Sequence, residues 1–61
     1  MNYNQIQWRD SFESQLSLLR PHLTPRLLET ISIAAWNEYG TKDIDPVKAA
    51  KVRSAELDKG K

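Results

Sequence analysis

Three helix starts are written into this chain in one grammar, and they constrain its fold more than anything else in it. Each is an apolar residue, then a capping residue, then the first helical turn: Tyr3-Asn4-Gln5, Leu23-Thr24-Pro25 and Ile44-Asp45-Pro46. Asn, Thr and Asp side chains accept hydrogen bonds from the unpaired N–H groups of a helix start. Proline at the first helical position gives up only an N–H that has no partner there. The expectation is an all-α fold: an antiparallel helical hairpin plus a shorter third helix, with no strands.

The predicted helices run over about residues 5–20, 25–39 and 46–58, within a single domain 1–61, and residues 59–61 are expected to fray. In the first helix, Trp8, Phe12, Leu16 and Leu19 recur at the spacing of one helical face. Ile6 and Leu18 fall off that stripe and are expected to be exposed. Asn4 and Gln7 have capping-box spacing, and Tyr3 is placed to staple onto Trp8. Pro21 disfavours helical geometry at Arg20 and ends the helix.

The second helix carries Leu27, Leu28, Ile31, Ala34, Ala35 and Tyr39 as its expected main face. Gly40 stands where a left-handed terminating residue is wanted. A second apolar pair, Ile33 and Trp36, points the other way, so this helix has two adhesive sides. The third helix offers Val47, Ala50 and Leu57, interrupted by Ser54. That is little burial, and the helix is expected to dock weakly.

Sixty-one residues without cysteine bury a small core and cannot be stapled by disulfides; chains of this size often gain stability by association. Two copies facing each other would make a four-helix bundle. A single histidine, His22, excludes the usual Cys/His zinc site, and it sits in a corner with no orienting partner for acid–base work. Glu38, Asp43 and Asp45 cluster at the second corner but fall short of the oxygen count and spacing of a calcium loop. No catalytic, metal or cofactor signature is present, and the chain is not expected to be an enzyme.

Net charge is +1, far from the strongly basic balance of a dedicated nucleic-acid binder. The lysines concentrate late, and Lys48, Lys51, Arg53 and Lys59 form the one candidate nucleic-acid contact, on the third helix. There is no run of about 20 apolar residues and no basic-then-apolar leader, so the expected compartment is the cytoplasm. The reading that emerges is a small protein–protein interaction module. It either self-associates as a homodimer or acts as a regulatory or accessory subunit of a larger protein, with Ile33 and Trp36 as partner-binding residues. Nucleic-acid binding through the third helix is the alternative.

Overall fold

The computed structural model describes residues 4–59, with Lys59 by its backbone alone. The expected contacts of Tyr3 and fraying of residues 60 and 61 lie outside that range. Three α-helices follow in order: α1 (Gln5–Leu19), α2 (Pro25–Glu38) and α3 (Pro46–Lys59), with a short 3₁₀ turn at Gly40–Lys42. No strand occurs among the described residues. The fold is a small all-α three-helix domain.

All three caps form. Asn4 Oδ1 accepts from the Ile6 N–H at 2.8 Å, Thr24 Oγ1 from the Leu27 N–H at 3.2 Å, and Asp45 Oδ2 from the Lys48 N–H at 3.1 Å. Each satisfies one of the orphan donors of a helix start.

α1 is the central element. Trp8, Phe12 and Leu16 are buried completely, and Trp8 stacks on Phe12 with ring centroids 5.2 Å apart. Leu19, expected on this stripe, is exposed at the helix end. The Trp8 indole N–H donates to the Ile44 carbonyl at 2.8 Å. At the other end, the Arg20 side chain donates to Ser54 Oγ at 3.1 Å and to the Ser54 carbonyl at 2.8 Å, and pairs with Asp58. These two ties, one at each end, run α1 and α3 in the same direction.

The third helix departs from expectation in three ways. It has 14 residues, as many as α2. Its contact with α1 is the broadest between elements, so it is not a weakly docked appendage. Its inward face is rotated: Pro46, Ala49 and Ala50 are buried, while Val47 and Leu57 are exposed. The reason is size. The ring of Trp8 and the side chains of Phe12 and Leu16 fill the space, and alanines let the helix backbone approach them. Polar ties then add what small side chains cannot. Arg20→Ala removes a set of charge-assisted bonds, and we expect a loss of about 2 kcal/mol. Amide hydrogen exchange should show residues 54–58 losing protection before the rest of α3.

α2 is rotated as well. Leu28, Ser32, Ala35 and Tyr39 share one face by their i, i+4, i+7, i+11 spacing, and Ser32 and Ala35 are fully buried. Leu27 and Ala34, expected inside, are exposed. The polar Ser32 occupies the centre of the face because α1 supplies partners for its hydroxyl.

Gly40 is not left-handed. No described glycine has positive φ, and Asp43 takes that conformation instead (φ 61°). Gly40 is needed for close approach. A Cβ built there would lie 2.6 Å from Cζ3 of Trp36 and closer still to Cε3, so the chain turns directly against the indole ring.

Candidate functional site

Where α1 and α2 meet, the contact is polar. The buried Ser32 Oγ lies 2.6 Å from Glu13 Oε2, to which it donates, and accepts from Arg9 Nε at 3.1 Å. It also lies 2.8 Å from the Glu29 carbonyl one turn back. Arg9 and Glu13 face each other at 3.8 Å. Every member of this knot has a partner, which is what allows a serine to sit fully buried at low cost. Mid-helix and inaccessible, Ser32 serves as a structural link between the helices.

Outside this knot lies an open groove. One part, about 520 Å³, is lined by Asp10, Glu13, Ser14, Ser17, Leu18 and Leu28. It continues into a smaller part of about 230 Å³ lined by Ile6, Arg9, Asp10, Glu13 and Glu29. The two parts share Asp10 and Glu13. Asp10 and Glu29 have no cationic partner among the described residues. Ile6 and Leu18, expected to be exposed, are the most exposed large apolar side chains among the described residues, at 76% and 77%. Nothing in the periodicity of the chain marks this groove. It exists because α2 presents Ser32 to α1, and its only sequence trace is two aliphatics off the main stripe.

The two residues singled out as partner-binding are placed differently from one another. Ile33 is 42% exposed, one turn beyond Glu29 and on the same side of α2. Trp36 is half-buried. Its ring meets Trp8 edge-on, with centroids 5.7 Å apart, and its six-membered ring lies against Gly40. Trp36 is therefore an outer wall of the core as well as a partly accessible aromatic.

The basic set of α3 is not brought together as one surface. Lys48 and Lys51 are exposed, and the Lys59 side chain lies outside the described residues. Arg53 turns inward to α2. It donates to Glu38 Oε2 at 3.0 Å, lies 3.3 Å from Glu56 Oε1, and stacks its guanidinium over Tyr39 at 5.7 Å from the ring centroid. The Tyr39 hydroxyl donates to Glu56 Oε1 at 3.2 Å. Burial pushes the Tyr39 phenol above its ordinary value, and the Glu38 and Glu56 carboxylates push it further, against the opposing effect of Arg53. This cluster joins α2 to α3, which share few apolar contacts.

His22 is exposed in its corner. No group of three or more His, Cys, Asp or Glu side chains is arranged to hold a metal ion among the described residues. No described helix is long and apolar enough to cross a membrane. Compared with protein-family models, curated proteins and solved structures, the chain matches none.

Proposed function

We propose that this chain is a small helical protein–protein interaction module that works by burying an apolar helix face against another chain. The observation that supports this most is the two-sided α2. Its inner face is taken up by Leu28, Ser32 and Ala35, yet Ile33 stands exposed on a different side, beside the half-buried Trp36. Covering the exposed part of Ile33 is worth about 1 kcal/mol, and tryptophan is among the commonest interface anchors. Among the described residues, three large apolar side chains are fully buried, so further burial on association adds to a small total. A regulatory or accessory subunit, or one half of a homodimer, fits this description.

Nucleic-acid binding through α3 has less support. Arg53 is committed to Glu38, Glu56 and Tyr39, leaving Lys48 and Lys51 as the exposed cations of the set, with Glu56 and Asp58 on the same helix. Tight phosphate binding needs several cations acting together.

Ile33→Asn tests the proposal with little risk to the fold, since the side chain is exposed. Capture from an extract of the source cells, quantified by mass spectrometry, should show the partner depleted about tenfold or more on the variant, or about 1.4 kcal/mol. Thermal unfolding should be unchanged. Equal recovery on Ile33→Asn and on the unaltered chain would remove Ile33 from the interface. Trp36→Ala is the poorer test, because it also strips the cover from Trp8.

A further inference from the structure

We propose that the groove between α1 and α2 takes a basic amphipathic helical segment of another protein, with Ile6 and Leu18 meeting its apolar side chains and Asp10, Glu13 and Glu29 facing its lysines or arginines. This rests on the interaction-module reading and names the kind of partner.

Three observations converge on it. The first is apolar. Ile6 and Leu18 belong to a helix whose buried face is already filled by Trp8, Phe12 and Leu16, and they stay almost fully exposed. Twelve residues of helix set them about 18 Å apart along the axis and about a third of a turn apart around it, so a partner helix meets both by crossing α1 obliquely. The second is shape. Between them the groove is lined by the small Ser14 and Ser17, with Leu28 opposite, leaving room for a helix to approach. The third is charge. Asp10, Glu13 and Glu29 line the groove against a single arginine, Arg9, and Arg9 is already engaged by Ser32 and Glu13. The groove is therefore net acidic in a chain whose overall charge is +1. An acidic groove repels phosphate and attracts a basic segment, with partner choice set by the charges.

A second copy of this chain is the nearest competitor, because the outward side of its α3 carries Lys48, Lys51 and Val52. That pairing places different surfaces of two copies together. It is a head-to-tail contact, which closes into a ring or runs on as an open chain. The exposed apolar side chains of α3, Val47, Val52 and Leu57, are each less than half exposed and share that helix with Glu56 and Asp58, whose charge an acidic groove repels.

The probe is a fluorescein-labelled synthetic helix of about 18 residues, roughly 27 Å long, with leucines on one face and lysines on the other. Its control has glutamates in place of the lysines. Fluorescence anisotropy should show the lysine peptide binding and the glutamate peptide failing to bind. Binding should weaken several-fold as salt rises from about 50 to about 300 mM, since exposed charges are screened over that range. Ile6→Asn with Leu18→Asn should weaken it about tenfold or more. Asp10→Asn with Glu29→Gln should weaken it several-fold and flatten the salt dependence. All four positions are at the surface, and circular dichroism melts check that each variant folds. Equal binding of the two peptides, binding of neither, or indifference to both double variants would overturn the proposal. So would a molar mass of the chain alone that rises with concentration and falls back in the Ile6/Leu18 variant, because a second copy would then be the occupant. Partner capture lost in Ile33→Asn, with the lysine peptide unbound, would sink the groove assignment and leave the interaction module standing.

Discussion

Trp8→Ala should leave the chain largely unfolded at room temperature. A domain of this length has a total stability of about 3–9 kcal/mol, at about 0.05–0.15 kcal/mol per residue. Replacing a buried tryptophan with alanine typically costs about 3–5 kcal/mol. Here the ring is completely buried, stacks on Phe12, meets Trp36 edge-on, and holds the α2–α3 corner through the Ile44 carbonyl. Its loss therefore opens a cavity, removes two aromatic contacts and leaves that carbonyl without its donor. Circular dichroism should show weak helicity and no cooperative melt. Trp8→Phe separates the contributions: it keeps an aromatic ring but loses the N–H, and should melt cooperatively at a lower temperature. A Trp8→Ala variant melting within a few degrees of the unaltered chain would mean that the core is not centred on this ring.

Gly40→Ala should be clearly destabilising, although it adds one methyl group and asks nothing unusual of the backbone. The added carbon would overlap the Trp36 ring. The ring must swing outward or the turn must lift. Overpacking of this kind costs about 1–3 kcal/mol, and in a domain of this size about 2 kcal/mol lowers the melting temperature by about 8–16 °C. Tryptophan emission should shift to the red as Trp36 leaves the corner. Trp36→Leu should relieve the clash, so Gly40→Ala should cost less in that background than alone, a coupling that a double-mutant cycle measures directly. Equal costs in both backgrounds would show that Gly40 is required for some reason other than this contact.

The legible part of this fold is the part specified by neighbours in sequence. Asn4, Thr24 and Asp45 cap their helices through N–H groups two or three residues away, so helix number and boundaries follow from local pattern. The Trp8–Phe12–Leu16 stripe is legible because three large side chains repeat at four-residue spacing. What cannot be read locally is which way α2 and α3 turn. Ser32 looks like a break in an apolar face, and only Arg9 and Glu13 across the interface make its burial favourable. Ala49 and Ala50 contribute little apolar area themselves and matter because bulky side chains of α1 lie opposite. Gly40 reads as a helix terminator, since its real requirement, space for the Trp36 ring, is set by a residue four positions back folding over the turn. The groove is least legible of all. Its acids and aliphatics come from two helices, and their sequence positions carry no shared period.

The exposed Lys48 and Lys51 of α3 and the acidic, apolar-edged groove of α1 and α2 offer different partners different surfaces. One measurement separates them. The chain is labelled with ¹⁵N, and its amide spectrum is recorded in buffer and then in an extract of the source cells. We expect signals from Ile6, Asp10, Ser14, Leu18 and Ile33 to broaden or shift, while those of Lys48, Lys51 and Val52 stay in place. Changes confined to Lys48, Lys51 and their neighbours, abolished by nuclease, would contradict a protein-binding role for the α1–α2 face and put nucleic acid on α3 in its place.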